Sequence, residues 1–447
     1  MRQFTKQVLT FGQSFLVLGL GHAGKAVSQF LINSGVAVYG GDDNESVWYE
    51  PIVRKLSERG LRRWQNQMVD LVIVSPGVRE EHPVVRFFRG RGVPVVDELD
   101  FASYFLPNTV IAVTGTNGKS TTTALIAAMF KSDKKRFFLG GNIAPGRPLS
   151  TALIMAPREY YCVEVSSFQL ERARYLAPKV AVMLNVSPDH IDRHRTLKKY
   201  VEAKTRIFDQ QKEDDWAVLN YDDSIVRLMK KQGRSKKLFF SSLRRVNGAF
   251  LSRGWMWFKK ERMLPVKAVK LPGRHNIENA LAAMCVARLL GVSAKAIRSA
   301  LMSFNGLEHR LESVQRVKGV LYVNNSMCTN PRAGVSSIET FGKKVILIAG
   351  GKEKGTAGNE YLKAIKNHAK WVVLLGENSA RLASGLSRLG FRQFEVARTM
   401  GEAVRMAAAK ARKGDIVLFS PGFASFDMFK DFQERGRVFK NEVRKLA

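Results

Sequence analysis

Cysteines are scarce in this sequence, and it has no long apolar runs. The three cysteines among its 447 residues, Cys162, Cys285 and Cys328, lie far apart and form no CxxC pair. This pattern predicts neither a disulfide framework nor a cysteine zinc site, and it favours a reducing compartment. No apolar stretch reaches the roughly eighteen residues of a membrane span, and residues 1–13 lack the apolar core of a signal peptide. The sequence therefore predicts a soluble, cytoplasmic protein without a membrane span.

Acidic residues are also in short supply. The chain has 39 Asp and Glu against 72 Lys and Arg, which gives a net charge of +33. Such a charge predicts attraction to polyanions, for which nucleic acid, anionic lipid and a nucleotide-bearing substrate are the candidates. The basic residues are spread along the sequence, as in 131–136 and 230–237, without the interleaved aromatics of a nucleic-acid platform. We therefore expect no specific nucleic-acid partner.

The length predicts three domains, at roughly 150 residues per domain. Short apolar runs alternate with helical patterns, which is typical of α/β proteins with mostly parallel sheets. We place the boundaries at 1–103, 104–306 and 307–447, and we expect a small antiparallel part between residues 238 and 266, with a turn at Arg253 and Gly254. The predicted strands are 15–18, 71–74, 110–113, 180–184, 345–348, 371–375 and 416–419.

A glycine fingerprint follows the first predicted strand. Gly19, Gly21 and Gly24 form G-x-G-x-x-G before a helical pattern, and Asp42 follows the next strand. Such a turn lets the backbone approach a phosphate at a helix N-terminus, and an acidic residue at this distance binds a ribose hydroxyl. Taken alone, the run predicts a Rossmann-like domain of a nicotinamide-dependent dehydrogenase, although this fingerprint is a weak signal.

A phosphate-binding loop follows the strand at 110–113. It consists of Gly115, Thr116, Asn117, Gly118, Lys119, Ser120 and Thr121, and a helical pattern follows it. Glycine lets successive amides converge on phosphate oxygens, lysine neutralises the β and γ phosphates, and the serine hydroxyl is a ligand for Mg²⁺. The loop predicts ATP as a substrate.

Further motifs carry a resemblance to one family. In order they are Gly140-Gly141-Asn142-Ile143, 164–170 (EVSSFQL), 185–194 (NVSPDHIDRH), 202–207 (EAKTRI), 271–279 (LPGRHNIEN), 309–312 (HRLE) and 420–432 (SPGFASFDMFKDF). Their order and spacing resemble the Mur ligases over essentially the whole chain, and the last motif is similar to the D-glutamate-adding branch. The resemblance implies an ATP-dependent amide ligase of cytoplasmic peptidoglycan precursor synthesis. It would add D-glutamate to UDP-N-acetylmuramoyl-L-alanine through an acyl phosphate, and it would be a monomer.

The resemblance also implies a set of site residues. The N-terminal Rossmann-like domain would bind the UDP substrate, the central domain ATP, and a Rossmann-like C-terminal domain glutamate. The UDP-substrate residues would be Gly19, Gly21, His22, Ala23, Gly24, Asp42, Ser75, Gly77, Asn142 and His190. Beyond the loop, ATP would contact Asn276, Asn279, Arg310 and Asn325, and glutamate would contact Thr329, Lys354, Ser425 and Phe432.

The same resemblance implies the catalytic groups, which are Lys119, Glu164, His190 and Lys204. It implies two Mg²⁺ ions, the first on Ser120 and Glu164. The second would lie near His190 and a carbamate formed on Lys204, because an unmodified lysine cannot ligate a cation, whereas its carbamate offers anionic oxygens.

The sequence departs from the family pattern at three positions. Asn325 and Met327 stand where the family has Asp and Lys, and Asn44 stands where it often has a basic residue. Met327 cannot supply positive charge, unless a cation such as Arg310 or Arg332 compensates. Two alternatives therefore remain open beside the dehydrogenase. One is a catalytically impaired nucleotide-binding paralogue, and the other is a ligase like folylpolyglutamate synthetase, whose phosphate loop lies nearer the N-terminus.

Overall fold

The computed structural model describes residues 8–42, 54–56, 68–143, 146–271, 273–341, 345–353 and 358–446. The chain divides into two compact units, Met1–Phe304 and Asn305–Ala447. Two sheets lie in the first unit and one in the second. The finer division of the chain at 103/104 and 306/307 stays a prediction.

The first sheet is parallel and has the order β3-β2-β1-β4-β5. Its apolar strands are buried on both sides, because one core cluster packs around Phe15 and Val17 and another around Leu16 and Leu18. This alternation explains why a continuous apolar run forms a covered parallel strand. The elements are β1 Ser14–Leu18, α1 His22–Asn33, β2 Ala37–Gly41, β3 Arg54–Leu56, β4 Leu71–Val74, α2 Pro83–Gly90, β5 Val95–Asp97 and α3 Glu98–Phe105.

The second sheet has the order β14-β13-β12-β11-β10-β9-β6-β8-β7. Its strands are β6 Thr109–Thr114, β7 Phe137–Gly141, β8 Tyr160–Glu164, β9 Val180–Met183, β10 Trp216–Asn220, β11 Lys236–Ser241, β12 Gly248–Ser252, β13 Trp255–Phe258 and β14 Glu261–Pro265. The pairing is parallel except for β12 with β13 and β13 with β14. The predicted antiparallel part and its turn at Arg253 and Gly254 are thus confirmed.

Helices cover both faces of this second sheet. They are α4 Lys119–Ser132, α5 Ser167–Glu171, α6 Ile191–His194, α7 Leu197–Thr205, α8 Ser224–Leu228, α9 Arg274–Leu289 and α10 Ala294–Ser303. Short 3-10 helices span Leu149–Ile154, Arg206–Phe208, Met229–Lys231 and Val266–Ala268. One core cluster joins α4, α9 and α10 to the sheet, and a second lies on the other face around Tyr161, Ile207 and Phe208.

The sheet of the second unit has the order β15-β16-β20-β17-β18-β19 and is parallel except at β15. Its elements are β15 Glu312–Val317, β16 Val320–Asn324, α11 Pro331–Glu339, β17 Val345–Ala349, α12 Asn359–His368, β18 Ala369–Leu375, α13 Ser379–Arg388, β19 Phe394–Ala397, α14 Met400–Lys410, β20 Ile416–Phe419 and α15 Phe432–Arg444. The predicted α/β class with mostly parallel sheets is confirmed.

The strand order decides where a ligand can bind in the second sheet. β6 lies between β9 and β8, and all three strands are parallel. Their carboxyl ends at Thr114, Met183 and Glu164 therefore meet at one edge, where open α/β sheets bind ligands. Among the described residues, no helix is long and apolar enough to cross a bilayer.

Candidate active site

The phosphate loop joins β6 to α4 and depends on two glycines. Gly115 and Gly118 have φ values of +153° and +84°. A Cβ on Gly118 would overlap Oδ1 of Asn279, and one on Gly115 would lie 2.9 Å from Cβ of Leu184. Both the backbone conformation and the lack of space require glycine here. The backbone can therefore approach a phosphate at the N-terminus of α4.

Asn185, at the end of β9, holds the loop in place. Its Oδ1 accepts from the Asn117 amide at 2.8 Å, and its Nδ2 donates to the Asn117 carbonyl at 3.1 Å. The Thr116 amide donates to the Asn185 carbonyl at 2.9 Å. Asn185 is the first residue of the motif 185–194, but the sequence alone does not indicate this role. A hydrogen-bonded contact between residues that follow two different strands depends on the strand order.

Lys119 opens α4 and lies over the loop. Its Nζ donates to the carbonyl oxygens of Gly115 at 3.0 Å and Thr116 at 2.9 Å. Ser120 is buried in the same turn, which contains no acidic residue. The positive end of the helix dipole and the ammonium group therefore act together on an anion.

Glu164 ends β8 beside the loop. It is 2% exposed, and its Oε1 accepts from Nδ2 of Asn142 at 3.0 Å. Oε2 is buried and has no hydrogen-bond partner among the residues that the structure describes. Such an orphaned carboxylate oxygen needs an explanation, and a cation is one. Mg²⁺ is often held by one or two carboxylates together with phosphate oxygens and water. The described residues contain no group of three His, Cys, Asp or Glu side chains that could hold a metal.

Lys204 on α7 reaches the underside of the loop. It is 1% exposed, and Nζ donates to the Gly115 carbonyl at 2.9 Å and lies 3.4 Å from Oγ1 of Thr114. Burial, helped by the nearby Lys119, lowers the pKa of Lys204 to about 7. A buried ammonium is costly, so the neutral amine is accessible near neutral pH. A neutral amine is the form that can react with carbon dioxide, so the environment fits a carbamate.

His190 and His194 lie in very different surroundings. His190 has a φ of +52°, its side chain is 42% exposed, and its ring lies 4.8 Å from that of Phe168. His194 is buried, with Nδ1 3.0 Å from Oε1 of Glu171 and Nε2 3.0 Å from Oγ of Ser167. His190 can therefore meet a ligand, whereas His194 ties α6 to α5. No pattern in the sequence indicates the pairing of His194 with Glu171.

The N-terminal glycine run forms a compact turn between β1 and α1. Gly19 has a φ of +83°, and its carbonyl accepts from Oγ of Ser75 at 2.8 Å. A Cβ on Gly24 would overlap that same carbonyl oxygen. Oδ2 of Asp42 accepts from the Leu20 amide at 2.6 Å. The structure thus brings Gly19, Gly24, Asp42 and Ser75 together, with His22 and Ala23 opening α1 after Gly21 and with Gly77 in the turn after β4.

Asn276 and Asn279, which are predicted to contact ATP, differ in their surroundings. Asn279 is buried behind the loop, where its Oδ1 lies 3.3 Å from Oγ1 of Thr122 and its Nδ2 lies 3.4 Å from Oδ1 of Asn276. Asn276 lines an apolar pocket with Leu125, Val269, Leu271, Ala280, Leu301 and Phe304. This pocket is too narrow for a water molecule and does not itself indicate an adenine site, but Asn276 is partly exposed whereas Asn279 is buried.

Asn325, predicted to contact ribose, is bound inside the second unit. Its Nδ2 donates to Oγ of Ser337 at 2.7 Å and to Oγ of Ser420 at 3.1 Å. Its Oδ1 accepts from the Leu311 amide at 3.1 Å. These bonds use both amide hydrogens, so Asn325 ties β16, α11 and β20 together. Arg310 is exposed in the loop before β15.

The described residues that are predicted to bind the substrate glutamate lie in loops of the second unit and at the start of α15. Thr329 is exposed, Ser425 is buried, and Phe432 opens α15. Beneath them the guanidinium of Arg435 donates to Oγ and the carbonyl of Ser326 at 3.1 and 2.8 Å and to the Phe423 carbonyl at 3.0 Å. The sequence did not single out Arg435. Lys354 and Asn44 lie outside the described residues, as does the side chain of Arg332.

Three family models match the chain, the MurD-like N-terminal domain at residues 13–97, the Mur ligase middle domain at 113–287 and the Mur ligase glutamate ligase domain at 309–423. A relative from Pelotomaculum thermopropionicum is 40% identical over 96% of this chain and 97% of its own, and one from Koribacter versatilis is 38% identical over 98% of each. Both are named UDP-N-acetylmuramoylalanine–D-glutamate ligase.

A solved structure shares the fold. The MurF ligase of Thermotoga maritima in complex with ADP has a TM-score of 0.53, with 18% identity over 98% of this chain and 99% of that one. The three matched models together cover most of the chain, and the two relatives are similar over nearly all of it. The chain therefore belongs to the Mur ligase family.

Proposed function

We propose that this chain is an ATP-dependent ligase that joins D-glutamate to UDP-N-acetylmuramoyl-L-alanine in peptidoglycan precursor synthesis. The observation that carries the proposal is one edge of the second sheet, where the phosphate loop, Lys119, the orphaned Oε2 of Glu164 and the buried Lys204 meet. The names of the relatives supply the choice of substrates.

The arrangement suits phosphoryl transfer to a carboxylate. A carboxylate oxygen of the UDP substrate attacks the γ phosphorus, the bond to the ADP oxygen breaks, and an acyl phosphate forms. The amine of D-glutamate then attacks the acyl carbon, loses a proton, and phosphate leaves with the bonding electrons. Carboxylate and triphosphate repel each other, so the site must supply positive charge, and Lys119 with the N-terminus of α4 does so.

Two Mg²⁺ ions belong to this proposal. Ser120 and Oε2 of Glu164 would hold the first, and His190 with a carbamate on Lys204 would hold the second. Bound Mg²⁺ would neutralise the phosphate oxygens during transfer. Asn142 would keep the Glu164 carboxylate in position through its bond to Oε1. Lys204 would react with carbon dioxide through its neutral amine, which the pKa of about 7 makes available.

For substrate binding, we assign the UDP-substrate to the turn around Gly19, Asp42 and Ser75. We assign D-glutamate to the loops of the second unit that carry Thr329, Ser425 and Phe432, together with Lys354. A dicarboxylate needs cations and hydroxyl donors, which these residue types provide. ATP would place its phosphates on the loop and its adenine near Asn276.

A catalytically impaired paralogue is the second candidate. It is supported by Asn325 and Met327, which replace the Asp and Lys of the family pattern. The Asn325 side chain is hydrogen-bonded to Leu311, Ser337 and Ser420 instead of facing a ligand. Against it stand Lys119, Glu164, His190 and Lys204, which retain the groups needed for phosphoryl transfer.

The test follows heavy oxygen from the carboxylate of UDP-N-acetylmuramoyl-L-alanine. The protein is incubated with ATP, Mg²⁺, D-glutamate and the labelled substrate, and the released phosphate is analysed by mass. An acyl phosphate transfers one labelled oxygen to phosphate. Unlabelled phosphate would contradict this route, and no phosphate release despite measurable ATP binding would favour the impaired paralogue.

We further propose that the protein acts in the cytoplasm as a monomer. ATP is the phosphoryl donor, and the three cysteines are free and buried, which suits a reducing compartment. Sedimentation of the purified chain tests the monomer directly.

A further inference from the structure

One stretch of the central sheet carries about a quarter of the net positive charge. Residues 236–270 contain ten lysines and arginines and one acidic residue, Glu261, so they carry nine of the 33 net charges. The ten are Lys236, Lys237, Arg244, Arg245, Arg253, Lys259, Lys260, Arg262, Lys267 and Lys270, and all but Lys237 are exposed. Within the described part of the chain none of them forms an ion pair, and Glu261 pairs instead with Arg288 at 2.7 Å. We give the name basic face to the part of this stretch that carries Arg245, Trp255, Trp257, Lys260 and Arg262.

Folding brings aromatic rings and guanidinium groups together on the outer side of β12, β13 and β14. The Arg262 guanidinium lies 4.4 Å from the centroid of the partly exposed Trp255 ring, and that of Arg245 lies 5.5 Å from the ring of Phe250, which is itself buried. The rings of Phe250 and Trp257 are parallel within 3°, with centroids 6.3 Å apart. The basic residues here are thus interleaved with aromatics, contrary to the expectation from sequence, because only the strand register makes them neighbours.

The other side of these strands is committed to the protein core. Ala249, Met256, Phe258 and Leu264 pack into the cluster formed with α4, α9 and α10. The opposite side of the strands, which carries Trp255, Trp257 and Arg262, therefore faces away from this core cluster. Trp255 and Trp257 stay partly exposed on that side.

A rigid turn beside the face presents an apolar side chain. Leu243 is 56% exposed and is followed by Arg244 and Arg245. The turn is fixed, because Oγ of Ser241 accepts from the amides of Leu243 at 3.1 Å and Arg244 at 3.0 Å and donates to Asp222 at 2.6 Å. An outward leucine followed by two arginines suits a surface that is anionic outside and apolar just below.

Three partners are possible for such a face, and two fit poorly. A second copy of the chain is disfavoured because each copy carries a charge of +33. Single-stranded nucleic acid stacks its bases on open ring faces, whereas the Arg262 guanidinium covers the ring of Trp255 and the ring of Phe250 is buried. A guanidinium that lies flat on a ring keeps N–H donors in its own plane for phosphate oxygens. Tryptophan, basic residues and an exposed leucine are together typical of binding at a membrane interface.

We propose that the basic face binds the surface of bilayers that contain anionic phospholipid. Binding is peripheral and reversible, with arginine and lysine on the lipid phosphates and Leu243 at the boundary of the acyl chains. Because the attraction is electrostatic, salt weakens it. None of the residues changed in the test below belongs to the candidate active site, so ligation is expected not to depend on them.

The test is cosedimentation of the full chain with vesicles of phosphatidylcholine alone or with about 30% phosphatidylglycerol, in about 0.1 M salt. A triple variant removes three cations from the face, Arg245→Gln, Lys260→Gln and Arg262→Gln. Its matched control removes three exposed cations from the second unit, Lys363→Gln, Lys366→Gln and Arg388→Gln. A third variant, Leu243→Asn, removes the apolar side chain alone.

The wild type is expected to bind the anionic vesicles and to leave neutral ones unbound. The face variant should bind about 10- to 100-fold more weakly, the control within about twofold of wild type, and Leu243→Asn between the two. Phosphate release by all variants should equal that of the wild type, and thermal unfolding shows that each is folded. Equal loss in the face variant and control, or no vesicle binding by the wild type, overturns the proposal. Binding of an oligo(dT) strand that is lost in the face variant while vesicle binding persists would assign the face to nucleic acid.

Discussion

Nδ2 of Asn142 donates to Oε1 of Glu164 at 3.0 Å, and the Asn142 amide donates to the Glu164 carbonyl at 2.9 Å. Glu164 ends β8, and Asn142 directly follows the adjacent parallel strand β7. These two hydrogen bonds fix the carboxylate, and its Oε2 stays buried without a partner in the described part of the chain. A preoriented, unsatisfied anion is the main reason to place a cation there.

Replacing Asn142 with Ala should raise the Mg²⁺ concentration needed for half-maximal phosphate release by about 10- to 100-fold, which is usual when a residue that orients a metal ligand is lost. Titration of Mg²⁺ at saturating ATP measures the effect. Asn247→Ala, at an exposed position, is the control. An unchanged Mg²⁺ requirement would show that Glu164 is not a metal ligand.

Replacing Gly118 with Ala should abolish ATP binding while leaving the fold intact. The new Cβ would overlap Asn279 behind the loop, and the φ of +84° strains any L residue. Gly254→Ala has a similar φ of +74° but open space around it, so it isolates the strain alone. Calorimetric titration with ATP distinguishes the two. Equal affinities would mean that the close packing on Asn279 does not shape the loop.

Asn325→Asp should destabilise the second unit by about 1–3 kcal/mol, because a carboxylate cannot donate to the two serine hydroxyls that Nδ2 now reaches. Restoring the family residue should therefore not raise the rate of phosphate release. Urea unfolding and steady-state rates measure both effects. Asn305→Asp, at an exposed site, is the control. A faster and equally stable enzyme would show that position 325 contacts substrate.

Asp97 should make stability depend on pH between about 4 and 8. Burial, with the neighbouring Glu98 charge, raises the pKa of Asp97 from 3.8 to about 8. The folded state therefore keeps a proton that the unfolded state has lost. The associated stability is complete below the unfolded pKa and is lost as pH rises towards 8, by at most about 1.4 kcal/mol per pH unit.

Asp97→Asn removes the titratable carboxyl group. It retains a helix cap for α3, since asparagine also caps well. Its free energy of unfolding should fall less than that of wild type between pH 6 and pH 8. Asp214→Asn, at a surface ion pair with Lys179, should keep the wild-type slope. Identical slopes for wild type and Asp97→Asn would show that Asp97 is already ionised.

The phosphate loop, the parallel strands and the antiparallel turn could be predicted because their signals are local, namely glycine spacing, apolar runs and turn residues. The surroundings of Lys204, Asn279 and Asn325 could not be predicted from the sequence. A lysine in a helix is usually solvated, and only the packing of α7 beneath the loop buries Lys204. The face of Arg245, Arg262 and the tryptophans likewise depends on strand register, which the sequence does not display.

The most direct test gives the protein ATP, Mg²⁺ and UDP-N-acetylmuramoyl-L-alanine with D-glutamate, L-glutamate or D-aspartate in parallel. Phosphate release and the mass of the UDP-linked product are followed together. The account predicts that release requires D-glutamate and that the product is the substrate joined to glutamate with loss of water. Release with another amino acid, or no product with any of them despite ATP binding, would contradict it.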